Sequence, residues 1–381
     1  MDVGLVNRRE DSMKRSMTNH RRLASIGIVV LVAALAIVVA GSGAVAAKGA
    51  PAAQQSAAAD PLVVLLLPEN VTARWEGQDR PRFIAALKKL VPDARVEVQN
   101  ALNDSSKQQA QAEAALVKGA KVLVVAAVDQ KAAAVIVNAA KKQNVPVIAY
   151  DRLIRNSPLA AYVSFDSVAV GAAEAGWLVK HTKQGDRIVI INGAPTDDNA
   201  HLVNKGTHRV LDPLFKSGAR VKVAEQWVPG WDPSKAQAVM EQILTRVGNK
   251  VDGVASANDG MAGGISAALK AQRLETKVPV TGQDATVEAL QRIILGTQGV
   301  SVFKDIRLQA AGAAQVTADF LAGKTTSKAF NAKVANGKVQ VPSVMLKVQP
   351  IDKTNVKTLI TNGFISKAAL CKGIPAGTGP C

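Results

Sequence analysis

Aromatic side chains are scarce: four Trp, two Tyr and seven Phe make only 3% of the 381 residues. Hydrophobic types still reach 48%, so Val, Ile, Leu and Ala must fill the interior. Each Trp position then carries information. Histidine is rarer still. His20, His181, His201 and His208 are the whole set, and none has a Cys or His partner at ligand spacing, so a metal centre has no support. No G-x-x-x-x-G-K-[ST] phosphate loop is present, and Pro-Glu-Asn-Val follows the first strand-like run where a dinucleotide fold needs glycines. Nor is there a G-x-S-x-G elbow for a serine nucleophile. Paired carboxylates for glycoside hydrolysis would have to be Asp151 and Asp284. Both stand beside Arg, Asn or Gln rather than in an apolar niche that raises one pKa. The chain is therefore expected to be no enzyme and to use no cofactor.

Charge of one sign dominates, with 47 Lys and Arg against 30 Asp and Glu, a net +17. The basic residues are spread along the chain with no dense block after the N-terminus, which excludes nucleic acid as the main ligand and leaves a lysine-rich soluble surface. The N-terminus is different. Arg8, Arg9, Lys14, Arg15, Arg21 and Arg22 precede an uncharged run over 23–47 that ends in small residues, among them Ala44-Val45-Ala46. That pattern predicts an export signal over 1–47 with cleavage after Ala46, or an uncleaved membrane anchor, and a periplasmic or otherwise extracytoplasmic location for the rest. The only two cysteines, Cys371 and Cys381, flank a Gly/Pro-rich loop. In an exported chain they are expected to form a disulfide that ties down the tail over 366–381.

After a low-complexity tether over 48–60, short β-branched runs alternate with longer segments of helical period. Strand-like runs fall at 61–67, 145–149, 161–164, 187–191, 221–226, 251–257, 278–281, 299–303 and 339–346. Helices are predicted over 79–90, 105–118, 130–143, 167–182, 200–215, 233–247, 260–271, 286–295 and 305–322. Ser105, Ser167 after Asp166, and Asp232-Pro233 are the predicted helix starts, and Asp259 is a candidate cap for the helix after it. This alternation is the mark of an α/β fold with parallel sheets. The spacing divides it into two lobes. The first covers 61–165 plus about 303–338, and the second 166–302 plus about 339–365. The helix over 305–322 has no sheet of its own in this reading. Repeated crossings between lobes make a hinge around a central cleft.

Nearly every strand-like run ends in polar or aromatic residues, and ligands of open α/β sheets bind beyond the carboxyl ends of strands. Arg74-Trp75 follows the first run, Asp151-Arg152 the second and Asp197 with Asn199 the fourth. Trp231, Asn258, Asp284 and Lys304 follow later ones. Trp75 and Trp231 stand in polar, loop-like settings and are expected to wall a pocket, each covering the C–H face of a sugar with its N–H left available. Trp177, inside Ala-Gly-Trp-Leu-Val, is expected in the core, and Trp227 under a loop. Asn199 and Asn258 can donate and accept at once, as a hydroxyl does. Arg74, Arg152 and Lys304 balance Asp151, Asp197 and Asp284, which favours a neutral ligand over a phosphate or acid.

The ordered set Arg74-Trp75, Tyr150-Asp151-Arg152, Ser164-Phe165-Asp166, Pro195-Thr-Asp-Asp-Asn199, Gln226-Trp-Val-Pro-Gly-Trp231, Asn258-Asp259, Ala262-Gly263-Gly264 and Gly282-Gln283-Asp284-Ala285 resembles the type I periplasmic sugar-binding proteins of ABC importers. Among them it is most similar to the D-xylose-binding proteins. The resemblance spans about 61–364 and implies two Rossmann-like lobes on a three-stranded hinge, a clamshell that closes over one monosaccharide. It implies ligand contacts at Arg74, Trp75, Asp151, Arg152, Asn199, Trp231, Asn258, Asp284 and Lys304, with Asp197 a tenth. D-xylose is the favoured ligand, with glucose, arabinose or ribose as alternatives, and the partners are permease subunits. A chemoreceptor that reads the closed form is a further candidate partner, and the protein is expected to be a monomer. A sugar-sensing repressor shares the clamshell but starts with a DNA-binding helix-turn-helix, where this chain has an export pattern. The sequence departs from the family pattern in a loop one residue longer after Trp75 and in Asp198, where an amide is usual.

Overall fold

The computed structural model describes residues 60–381, so the export signal expected over 1–47 and the tether expected over 48–60, except for its last residue, lie outside the described residues. The first strand, β1 (Leu62–Leu67), is aliphatic at every position because both of its faces are covered. A π-helical turn at Trp75–Asp79 leads into α1 (Arg80–Leu90). There follow β2 (Arg95–Asn100), α2 (Ser105–Val117), β3 (Val122–Val125), α3 (Ala134–Lys142), β4 (Val147–Tyr150) and β5 (Ala161–Phe165). The next stretch holds α4 (Ser167–Lys180), β6 (Arg187–Asn192), α5 (Asp198–Lys216), β7 (Val221–Trp227), α6 (Pro233–Arg246) and β8 (Gly253–Ser256). It continues with α7 (Asp259–Ala271), α8 (Val287–Leu295) and β9 (Val300–Phe303). The chain finishes with α9 (Ile306–Leu321), β10 (Ala332–Ala335), β11 (Gln340–Leu346), β12 (Gln349–Asp352), α10 (Thr358–Thr361) and α11 (Lys367–Cys371).

The first lobe holds a seven-stranded sheet in the order β10-β11-β5-β4-β3-β1-β2, parallel except for the β10–β11 pair. In the second lobe β7-β6-β8 are parallel, and β12 runs antiparallel to β9. The run expected as a strand over 278–281 is reduced to bridges, Val254 to Val280 and Gln283 to Val302. Pro279 lacks an N–H, yet its carbonyl accepts from Val254 N at 2.9 Å, and Gly299 N donates to Val280 O at 2.9 Å. The segment therefore fills the gap between β8 and β9.

The chain passes between lobes three times: from β5 to α4, from β9 to α9, and from β11 to β12. This moves one expected boundary. β11 pairs parallel with β5, Ser343 opposite Tyr162 through Leu346 opposite Phe165, so 340–346 belongs to the first lobe rather than the second. α9 also has a sheet after all. Ala310, Ala313, Ala314 and Val316 pack with Val63, Leu65 and Val163 in one core cluster of the first lobe.

Helix starts follow side-chain caps, with two corrections. Asp104, not Ser105, caps α2 by accepting from Ser106 N and Lys107 N, and Asn258, not Asp259, caps α7 by accepting from Met261 N. Asp166 and Asp232 cap α4 and α6. In the second lobe α4 and α5 touch backbone to backbone. A Cβ on Gly171 would overlap the carbonyl of Val203, and one on Gly206 the carbonyl of Val168. Gly264 lies in the same way against the Pro233 carbonyl.

Cys371 and Cys381 are bonded. The tail they close lies on α8, where Gln291 Nε2 donates to the carbonyls of Leu370 and Lys372, and Ile374 packs in the cluster of Leu290, Ile293 and Ile294. Trp177 corrects the reading of a core residue. It is half-buried, its ring stacks on His181 with centroids 3.6 Å apart, and its indole N–H donates to Asp352 at 3.1 Å. Trp227, also half-buried, lies tilted against His201.

Candidate ligand-binding site

Strand ends of both lobes converge on one small cavity. Arg74 and Trp75 come from the turn after β1, and Asp151 and Arg152 from the end of β4. Asp197 and Asn199 open α5, Trp231 sits in a short 3₁₀ turn after β7, Asn258 caps α7, Asp284 follows the bridge segment, and Lys304 follows β9. All ten of these residues line the cavity. Thr72 and Gln283 line it as well, and the sequence reading passed over both. Each of the ten is buried. The lobes are therefore closed over the cavity.

Backbone conformation concentrates strain here. Asp151 (φ 63°), Trp231 (φ 57°), Asp284 (φ 101°) and Ala285 (φ 51°) all lie in the region that favours glycine. Such residues persist where the surroundings over-determine them, and they cluster at ligand clamps.

The charges are arranged in pairs. Arg74 grips Asp79 through both its Nε and Nη2 at 2.8 Å, donates to Asp151 Oδ2 at 2.9 Å and to Gln309 Oε1 at 2.6 Å. Arg152 Nε lies 2.8 Å from Asp197 Oδ2, and its Nη2 is 3.2 Å from Glu69 Oε1. Lys304 Nζ is 2.8 Å from Asp284 Oδ1, but off the angle a hydrogen bond requires, so that oxygen lacks a hydrogen-bond partner among the described residues. Burial works against ionisation of Asp151, but Arg74, Lys304 and Arg152 outweigh it and hold the carboxyl well below its usual range. Burial raises Asp197 and Asp79 against the opposing pull of Arg152 and Arg74 respectively. Three cations and three anions line the cavity, with Asp79 and Glu69 buried just behind. An anionic ligand finds no surplus positive charge.

Two details depart from the expected chemistry. Neither indole N–H is available: Trp75 Nε1 donates to Glu69 Oε1 at 2.5 Å, and Trp231 Nε1 to Asp197 Oδ2 at 3.1 Å. Neither ring therefore has a free N–H to offer, and the guanidiniums of Arg74 and Arg152 lie over the Trp75 ring, their Cζ atoms 4.7 and 5.3 Å from its centre. Asn199 is likewise occupied. Its Nδ2 donates to the carbonyl and Oδ1 of Asp151, both at 3.0 Å, and its Oδ1 accepts from Ser167, so it acts as a latch between lobes. Asn258 uses Oδ1 for its cap and keeps its amide hydrogens for the cavity. Asp198, outside the cavity, pairs with Arg155 at 2.6 Å. Glu69 had a visible signal, a carboxylate in the loop after the first strand. Gln309 had none, being a polar residue in a helical run.

A family model described as periplasmic binding protein domain matches residues 63–325. The D-xylose-binding periplasmic protein of Haemophilus influenzae is 39% identical over 78% of this chain and 88% of its own length. The protein of the same description from Escherichia coli is 37% identical over the same shares. Among solved structures, a carbohydrate transporter solute-binding protein from Chloroflexus aurantiacus in complex with D-glucose has a TM-score of 0.75 at 32% identity. It covers 81% of this chain and 97% of that one. An ABC transporter solute-binding protein from Clostridium phytofermentans with bound β-D-glucose has a TM-score of 0.74 at 30% identity, covering 81% and 99%.

Proposed function

The chain belongs to the periplasmic binding protein family, and we propose that it captures a neutral monosaccharide, D-xylose first, and hands it to an ABC permease outside the cytoplasm. One observation carries this reading. A cavity lined by two indole rings and by equal numbers of cations and anions suits a polyhydroxylated, uncharged ring. The apolar faces cover sugar C–H groups. The Asp284 carboxylate, ion-paired to Lys304, and the amide of Asn258 meet hydroxyls. The relatives named for D-xylose support the choice of sugar.

Transport follows from closure. Asp151, Arg152 and Arg74 belong to one lobe and Asp197, Asn199 and Asp284 to the other, so a sugar that bonds to both sets favours the closed form, and a permease reads that form. No step of bond cleavage is part of this function.

D-glucose is the second reading, because it occupies the two solved relatives. Titration calorimetry of the purified protein against D-xylose, D-glucose, L-arabinose and D-ribose tests both readings. Tightest binding of D-xylose with no product formed is the expected result. Binding of none of the four sugars would overturn the assignment of the site.

A further inference from the structure

Asp259 lines none of the central cavity, yet it is 1% exposed and its carboxylate is fully committed. Its Oδ2 accepts from Thr286 N at 3.0 Å and from Ser301 Oγ at 2.7 Å, and its Oδ1 accepts from Gln298 Nε2 at 2.8 Å. Ser301 Oγ in turn accepts from Ala285 N at 2.9 Å. Asp259 N also donates to Gln283 O at 3.1 Å. A Cβ on Gly282 would overlap the Asp259 carboxylate, so that glycine admits it beneath the turn. Asp284 N donates to Val302 O at 3.0 Å and Gln283 Nε2 to Ala257 O at 2.6 Å, while the backbone groups Gln283 O, Ala285 N and Thr286 N lead to Asp259, directly or through Ser301. Those residues bracket Asp284 and Ala285, whose left-handed backbone must be held against its own strain. Burial and the neighbouring Asp284 push Asp259 up to about 7, while Ser301, Arg292 and Thr286 pull it the other way.

We propose that Asp259 is a positioning residue: with Ser301 it clamps the strained Asp284–Ala285 turn and thereby aims the Asp284 carboxylate at the ligand. The role is neither a helix cap, which Asn258 supplies, nor a ligand contact. It rests on the reading of the cavity as a sugar site only for its effect on affinity. Its effect on the turn is independent of any sugar.

The test uses the full-length protein and two readouts. Amide hydrogen exchange at Ala285 and Thr286, measured without sugar, is expected to quicken about tenfold or more in Asp259→Asn, because an amide at that position donates where the carboxylate accepts. Unchanged exchange there overturns the proposal. The second readout is a double-mutant cycle on D-xylose and D-glucose affinity. Asp259→Asn is expected to weaken binding about tenfold in the native background and by less than about twofold in an Asp284→Asn background. An equal loss in both backgrounds means a general structural role and also overturns it. Should the native protein bind neither sugar, the assignment of the site fails, and the exchange readout still decides the clamp. Ser301→Ala removes a single hydroxyl and gives the same two readouts if Asp259→Asn does not fold.

Discussion

Arg152 Nε and Asp197 Oδ2 stand 2.8 Å apart across the cleft, one at the end of a first-lobe strand and the other at the start of a second-lobe helix. The pair is fully formed only when the lobes are shut. Removing one partner of a buried pair leaves the other charge stranded, at about 3 kcal/mol, unless the protein opens and lets water reach it. Asp197→Ala is therefore expected to act chiefly on the closed form, with about 1 kcal/mol of fold stability lost besides because Asp197 also caps α5 by accepting from Asn199 N. It should lower sugar affinity at least about tenfold, an order taken from that cost. Small-angle scattering should show a larger radius of gyration.

The two indoles separate face from edge. Trp231→Phe keeps an aromatic wall and loses the bond to Asp197, so it should cost about 1 kcal/mol of binding, while Trp231→Ala loses the wall as well and should cost about 2 to 4 kcal/mol. Equal losses for the two variants, measured by calorimetry, would mean that the N–H rather than the face matters.

Asp284→Ala and Asn258→Ala each leave a sugar hydroxyl unpaired, at a cost on the order of 2 kcal/mol of binding. Calorimetry showing normal affinity in both variants would remove these residues from the site.

A pH response resides far from the cavity. Burial opposes the charge on His208, but Glu225 and Asp212 raise it above its ordinary 6.5. Burial likewise opposes Glu225, yet His208, Lys222, Asn192 and Asn204 bring it from 4.5 down to about 2. The histidine's contribution is complete below 6.5 and is lost as pH rises through its raised folded value. The glutamate's is present above 4.5 and is lost as pH falls toward about 2. The group should therefore stabilise the fold most between 4.5 and 6.5. Thermal melts across pH should show His208→Gln losing that excess and matching the native protein at alkaline pH.

Reduction of Cys371–Cys381 opens a short loop, with a sequence separation of 10. Chain entropy sets the loss at about 2 to 3 kcal/mol. The loss is expected in the tail and α8, visible as a lower melting temperature under reductant. Sugar affinity should hold.

The fold was legible wherever a strand ended in unmistakable polar residues. Asp151-Arg152 and Asn258 could be placed because a buried parallel strand has few reasons to stop on such groups. Less legible was whatever depended on partners distant in sequence. The pairing of β11 with β5 put 340–346 in the first lobe, and nothing within that segment names its partner strand. The engagement of both indole N–H groups was equally hidden, since Glu69 and Asp197 reach them only after folding. Trp177 misled because its apolar neighbours describe the helix, whereas its own ring lies over Gly299 and beside His181.

Gly171 and Gly206 bring α4 and α5 together with no side chain between them. A seam of that kind has no slack to absorb movement, so the half of the molecule that carries Asp197 and Asn199 travels as one stiff jaw. Retuning the receptor for a different cargo is then best done at cavity side chains such as Thr72 and Gln283. Any bulk added along the glycine seam would skew the jaw and blunt its grip on every sugar alike.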